Sequence, residues 1–375
     1  MSTLPELHIP VSSSIVDVSI INSSGYMLGL PFNFFYEPSI VGHDYLAVPA
    51  LSFLIEHEDT ALIFDLGFRK DIDNIPPPLQ EMASLVTVEV PTDVHEILTE
   101  SGFNMSSIEG IIWSHAHFDH VGNPATFDLD IPLIVGPGFK EHKYPGYPTV
   151  ETAHFFESDI AGREIIEISF PGCAPGLKIG HFDAFDYFGD GSFYILNSPG
   201  HEIGHISALA RVTSNPDSFI LMGGDAVHHA AVLRPHEWQP IPESISPNPF
   251  TAKQAPPCPG DIFDSILREG NDHQPFYVPS TTAGQNYDVE EMARSIHKLQ
   301  ETDAHDNILI IPAHDEYALN VVDLYPAKAN DFMAKGWVEK TRWAFLYDFA
   351  KAVNYTGELY DKMSWAPPQS NQTSR

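Results

Sequence analysis

Ser114-His115-Ala116-His117-Phe118-Asp119-His120 follows directly on the apolar run Gly110-Ile111-Ile112-Trp113. Three histidines and an aspartate within six residues are not explained by packing. Neutral imidazole nitrogens and a carboxylate oxygen suit zinc-like divalent cations. A loop at the end of a buried strand can aim alternate side chains at two centres. With 19 histidines in the chain, a lone His-x-His would read as a chance polar loop. The complete H-x-H-x-D-H pattern at a strand end reads as a metal site.

Working outward, Leu51–Glu56 and Ala61–Phe64 read as a hairpin around the turn His57–Thr60, ending at Asp65-Leu66-Gly67, where the chain must turn sharply. Thr92 to Gly102 reads as a helix, with Asp93 and Glu96 as a capping pair, Val94, Ile97 and Leu98 on one face, and Gly102 as its stop. Short strands are expected at Pro132–Val135, Glu164–Phe170, Ala184–Phe188, Ser192–Leu196, His205–Val212, Phe219–Met222 and Asn307–Ile311. Asp288–Gln300 carries a helical stripe of Val289, Met292, Ala293, Ile296 and Leu299. Residues 232–286 are Pro-rich and weakly periodic, with one short helix expected at Asp261–Leu267. A segment this long inside a compact domain reads as a functional lid or insertion. Ala327 to Ala352 looks helical, and the last ten residues look disordered. The expected organisation is a catalytic domain over 1–325 and a helical C-terminal extension over 326–375.

Three more motifs follow strands or tight turns: Ser198-Pro199-Gly200-His201, Met222-Gly223-Gly224-Asp225 and Ile311-Pro312-Ala313-His314. Together with the first, in this order, they resemble the metallo-β-lactamase superfamily over residues 50 to 316. The resemblance implies an α/β (α+β) fold, a four-layer αββα sandwich with its site at one edge between the sheets. It also implies two divalent metal ions, with Zn2+ the best fit and Mn2+ or Fe2+ compatible. His115, His117 and His201 would form one site, Asp119, His120 and His314 the other, and Asp225 would be shared. A redox diiron role fits less well, because such relatives tend to carry glutamate where His117 stands.

Composition narrows the partners. Against 51 acidic residues stand 19 basic ones, a formal net charge of −32. That surface repels phosphate backbones and anionic headgroups, which argues against nucleic-acid and membrane partners. Cys173 and Cys258 are far apart with no CxxC pattern, so neither a disulfide framework nor a thiolate metal site is expected. MSTLPELHIP lacks the pattern of a signal peptide, and no apolar run approaches a membrane span. The simplest address is the cytoplasm, and the sequons at Asn22, Asn104, Asn354 and Asn371 carry little weight there. The sequence fixes no oligomeric state; a homodimer is compatible with it.

Two cations a few ångströms apart would lower the pKa of a bridging water from near 16 towards about 7. Asp119, Asp225 and His228 are therefore the expected catalytic residues, at the activated water and the substrate carbonyl. Lactonases of the superfamily are closest in motif wording, but typically carry tyrosine three residues after the bridging aspartate. Here His228 stands there, able to donate a proton or hydrogen bond. Asp65 is read either as hydrogen-bond support of a ligand or as a turn residue, and His205 as structural. Phe32, Phe34, Phe35 and Tyr36 could line a pocket, although such a run is more often core. Lys335, Lys340 and Arg342 could greet glutathione, or sit on a solvated helix face. The leading expectation is a lactonase opening a small, neutral, partly apolar cyclic ester. A cyclic amide or carbamate hydrolase is the nearest rival, a thioesterase or glyoxalase II-like enzyme the third. Outside enzymology the competitor is a metal-binding scaffold protein.

Overall fold

In the computed structural model, which describes residues 3–170, 176–251, 255–281 and 286–361, the apolar runs become strands buried on both faces. Cys173 and the extreme C-terminal tail with Asn371 lie outside the described residues. The alternation is visible residue by residue. Leu62 and Phe64 face one core and Ala61 and Ile63 another. Phe193 and Ile195 likewise part from Tyr194 and Leu196, and Leu309 and Ile311 from Ile308 and Ile310.

The first sheet contains β1 (Asp17–Pro31), β2 (Tyr45–His57), β3 (Thr60–Phe64), β4 (Thr87–Glu89), β5 (Ile108–Ile112), β6 (Leu133–Val135) and β7 (Ile165–Glu167). Its order is β4-β1-β2-β3-β5-β6-β7. The second contains β8 (Lys178–Ile179), β9 (Phe182–Asp186), β10 (Phe193–Asn197), β11 (Ile206–Ser214), β12 (Asp217–Met222) and β13 (Ile308–Ile311), in the order β13-β12-β11-β10-β9-β8. Phe53, Leu62, Phe64 and Ile112 of the first sheet meet Ile195, Ala208, Ile220 and Ile311 of the second in a shared core. The helix Val94–Glu100 covers the outer face of the first sheet through Val94 and Leu98. Val289–Asp303 covers the second through Met292, Ile296 and Leu299. The result is the four-layer αββα arrangement.

Local chemistry sets the boundaries. The hairpin β2–β3 closes at His57 opposite Thr60, and Glu58 takes the positive φ of 52° that so tight a turn demands. Asp93 and Glu96 form the expected capping box. Strand direction then gathers the loops. β3 runs parallel to β5, and β12 parallel to β13, while β11 is antiparallel to both β10 and β12. Within each sheet the loops that follow these parallel strands therefore leave from one edge. The Ile206 amide donates to the Ser114 carbonyl (2.8 Å) and the Leu51 amide to that of Ala313 (2.9 Å), joining the sheets there.

Two stretches differ from the sequence-based expectation. The described part of 232–286 buries Ile245, Phe250, Phe263, Phe276 and Tyr277 in the core outside the second sheet. Gly260–Ile266 is a 3-10 turn, and Val278–Pro279 pairs with Tyr36–Glu37. Its apolar residues fill a layer, with prolines breaking the period, so the segment packs as wall rather than as a free flap. The C-terminal stretch is broken into Phe332–Lys335, Trp337–Arg342 and a 3-10 turn at Ala344–Phe349, with Gly336 at φ 65° between the first two. It is no appendage. Phe332 and Trp337 enter the core between the sheets, and Phe345, Leu346 and Phe349 the outer one.

Candidate metal centre

Every predicted ligand follows a strand end at the shared edge. His115, His117, Asp119 and His120 come after β5, the last two on the short helix Phe118–Val121; His201 follows β10, Asp225 β12 and His314 β13. Gly200 and Gly224 permit the tight approach. At Gly200, φ is 124° and a Cβ would lie 2.1 Å from the Met292 amide nitrogen. At Gly224, φ is 52° and a Cβ would lie 2.8 Å from His205 Nε2.

The seven side chains form two groups that share Asp225: His115, His117, His201 and Asp225, and Asp119, His120, His314 and Asp225. The outward nitrogen of each histidine meets an acceptor. His120 Nδ1–H donates to Asp65 Oδ2 (2.8 Å), His115 Nδ1–H to Ser114 Oγ (3.1 Å) and His314 Nδ1–H to the Pro49 carbonyl (2.6 Å). His201 Nδ1–H donates to Asn286 Oδ1 (3.3 Å) and His117 Nε2–H to Glu202 Oε2 (3.1 Å). In the neutral ring each inward nitrogen is thereby left with a lone pair, and those of His117 Nδ1 and His201 Nε2 face each other at 3.0 Å. Nε2 of His115, His120 and His314, and Oδ1 of Asp225, are buried without a hydrogen-bond partner. His120 and His314 Nε2 lie only 3.1 and 2.9 Å from Asp225 Oδ1, without hydrogen-bond alignment. Orphaned donor atoms converging in this way fit two divalent cations.

The electrostatics favour positive charge beside the carboxylates of the second group. Burial, then the charges of His120 and His117, push His115 well below its ordinary value. Burial alone would lower His120, but Asp225, Asp65 and Asp119 outweigh it and hold it well above. Asp225 is held far below the carboxylate range because His120, His314 and His228 overcome its desolvation. A buried carboxylate with so many imidazoles around it is a cation cradle.

Supporting residues explain the rest. Asp65, at φ 59°, accepts from the Ser114 amide (2.6 Å) and Ser114 Oγ (2.7 Å) as well as from His120. It is both the turn and the support. His205 accepts the Asp225 amide at Nε2 (2.9 Å) and donates from Nδ1 to the Ser198 carbonyl (2.8 Å), and burial pushes it down to about 4. It is structural.

His228 packs against Phe35, with ring centroids 4.4 Å apart and tilted by 34°, and places Nε2 3.1 Å from Asp225 Oδ2; burial lowers its pKa despite that carboxylate. The site opens on a cavity of about 200 Å³. Met27, Leu30, Phe34, Phe35, Val48 and Met82 supply its apolar wall. Among the described residues lining it there is no lysine or arginine. Phe34 and Phe35 are therefore pocket residues, whereas Phe32 packs into the core against His43 and Tyr277. Lys335 pairs with Asp323 and Asp331, and Arg342 with Asp306, away from the cavity. No described residue of 232–286 lines it either.

Sequence reasoning missed several residues. His154 stacks on His117 (4.8 Å, 26°), lines the cavity and keeps Nδ1 buried without a partner. Burial, His117 and Lys143 push it well below its ordinary value. Glu202, also bonded by Lys143 (2.9 Å), is held far below the carboxylate range despite its burial. Adjacency to His201 was its only signal. Tyr36 reads from sequence only as part of an aromatic run, because its bond to His228 spans 192 positions and leaves no local trace.

A family model of the metallo-beta-lactamase superfamily matches residues 46–249. A gamma-lactamase of Fusarium pseudograminearum, FDB1, is 45% identical over 353 residues, covering 92% of this chain and 85% of that one. The gamma-lactamase MBL2 of Gibberella moniliformis is 48% identical over 240 residues, 64% of this chain and 100% of that one. Among solved structures, a quorum-quenching N-acyl homoserine lactone hydrolase aligns with a TM-score of 0.53 at 17% identity, over 85% of this chain and 100% of that one. That likeness is one of fold.

Proposed function

Because the chain belongs to the metallo-beta-lactamase superfamily and is a metal-dependent hydrolase, we propose that it opens a small, neutral cyclic amide or carbamate at a dinuclear metal centre. The observation that carries this is the convergence of orphaned histidine and Asp225 donor atoms at the floor of a cavity with an apolar wall and, among its described residues, no lysine or arginine. Identity to two gamma-lactamases over most of the chain or most of the relative supports nitrogen in the scissile bond. This reverses the order of amide and ester in the sequence reading. Opening of a cyclic ester remains the second reading, favoured by the lactonase-like wording of H-x-H-F-D-H. A thioester of an anionic carrier fits less well, since the described cavity wall offers no cation.

Bound at these residues, two divalent cations, zinc by preference, would supply Lewis acidity and an activated water. The residues do the rest. Asp225 belongs to both groups and would be the ligand that the two cations share. Asp119 sits beside His314, its Oδ2 3.5 Å from Nε2, and at the cavity lining can take the proton the water releases and return it to the ring nitrogen as the C–N bond breaks. His228 presents Nε2 beside Asp225, where it can donate a hydrogen bond to the substrate carbonyl oxygen as negative charge grows there. A neutral imidazole suits this electrophilic role, since full transfer of its remaining proton would leave an imidazolate. The apolar wall excludes water and seats the ring. The test is a hydrolysis panel of γ-lactams, cyclic carbamates, lactones and thioesters with zinc-reconstituted protein. Cyclic amides should turn over fastest. Faster lactone opening, with amides no faster than buffer, would give the second reading precedence.

A further inference from the structure

His228 differs in polarity from the ligand histidines around it. Each of those donates its outward N–H to an acceptor and turns a lone pair inward. The outward nitrogen of His228, Nδ1, instead faces the Tyr36 hydroxyl at 3.0 Å. That same oxygen accepts the His228 backbone N–H at 2.8 Å. A phenol has one proton, and among the contacts of the described residues only His228 Nδ1 can receive this one. Nδ1 is then the acceptor, and the ring proton sits on Nε2, 3.1 Å from Asp225 Oδ2.

We infer that Tyr36 is a positioning residue that holds His228 in its Nε2–H tautomer. The lock denies His228 to the metal ions and turns an N–H toward Asp225 and the substrate carbonyl. The inference rests on the hydrolase reading for what that N–H does, but not for which nitrogen carries it. The opposite tautomer would aim both Nδ1–H and the backbone N–H at one phenol oxygen. Tyr36 is 1% exposed, so its own proton would be stranded in the interior.

The fold holds Tyr36 from behind. Tyr36–Glu37 pairs with Val278–Pro279, and the Ser280 amide donates to the Phe35 carbonyl (2.7 Å). Asn286 Nδ2–H donates to the same carbonyl (3.3 Å) while Asn286 Oδ1 accepts from His201. The end of the Pro-rich segment thus ties the Tyr36 backbone to a ligand histidine. This is how a stretch outside the cavity bears on the reaction.

The experiment is the imidazole 15N spectrum of histidine-labelled protein, metal-free and zinc-loaded, with His228 assigned by signals lost in His228→Asn. The wild type should show His228 protonated at Nε2, bare at Nδ1 and uncoordinated in both forms. Tyr36→Phe, which removes one oxygen, should lose that pattern and slow kcat about tenfold to a hundredfold. Its metal content should be unchanged and KM should move less than about threefold. Tyr36→Phe/His228→Ala should be no slower than His228→Ala, because the two act as one unit. A wild-type His228 protonated at Nδ1, or losses that multiply in the double variant, overturns the inference. If Tyr36→Phe fails to fold, the wild-type spectrum decides. If the wild type hydrolyses no cyclic amide, the substrate reading fails while the spectrum still judges Tyr36.

Discussion

Asp65→Asn offers a sharp probe of how the chain prepares its metal donors. The aspartate has one oxygen on the Ser114 amide and the other shared by Ser114 Oγ and His120 Nδ1. Asparagine keeps the size and tolerates the positive φ of 59° better than most residues. With its carbonyl kept on the Ser114 amide, its NH2 replaces the oxygen that His120 faces. A donor there favours His120 with Nδ1 bare and the proton on Nε2, the atom directed at Asp225 and His314. A hydrogen bond to a charged group is worth about 1.5–3 kcal/mol, and loss of a ligand's supporting partner costs roughly 10–100-fold in metal affinity. The two figures agree, since about 1.4 kcal/mol is tenfold. Zinc titration of metal-free Asp65→Asn should show one tight equivalent, at His115, His117 and His201, and a second weakened by about 10–100-fold. Two equivalents at wild-type affinity would refute the tautomer argument.

Other consequences can be checked independently. The buried Arg234 guanidinium donates from Nε to Asp303 Oδ2 (2.7 Å) and His236 reaches the same oxygen (3.0 Å); burial would raise Asp303, but Arg234 outweighs it and holds the carboxyl far below its ordinary value. Asp303→Asn should cost about 3–5 kcal/mol in urea unfolding at pH 7, because Arg234 is left buried and unpaired. A depressed carboxylate stabilises the fold above its unfolded pKa near 3.9 and loses that contribution as pH falls. The gap between wild type and variant should therefore narrow below about pH 4; a gap independent of pH down to 3 would contradict the ion pair. His154→Phe keeps the ring on His117 and removes the unpartnered Nδ1. Metal content and KM should stay constant while stability in urea unfolding rises by about 1–3 kcal/mol, the cost of an unsatisfied buried polar atom. Unchanged or lower stability would mean that Nδ1 is satisfied in the fold.

The legible part of this protein is the part written locally. Strand, turn and ligand are adjacent in the chain at His115–His120, His201, Asp225 and His314, so each motif announces both its support and its chemistry. The αββα layering follows for the same reason, since runs such as Ala61–Phe64 and Ile308–Ile311 are apolar at every position and must be covered on both sides. What stayed hidden depends on long-range closure. Tyr36 meets His228, Asn286 meets His201, and His154 reaches His117 only after the sheets pack. The Pro-rich segment misled because aperiodic sequence resembles a loop, whereas its Phe250, Phe263, Phe276 and Tyr277 are core. The C-terminal stretch reads as one helix until Gly336 divides it.

Metal analysis of the active protein, coupled to turnover of a γ-lactam, tests the two-centre claim most directly. Two equivalents of divalent metal per chain are expected, with activity lost on chelation and recovered only as the second equivalent is restored. Full turnover with one equivalent, or with none, would contradict it.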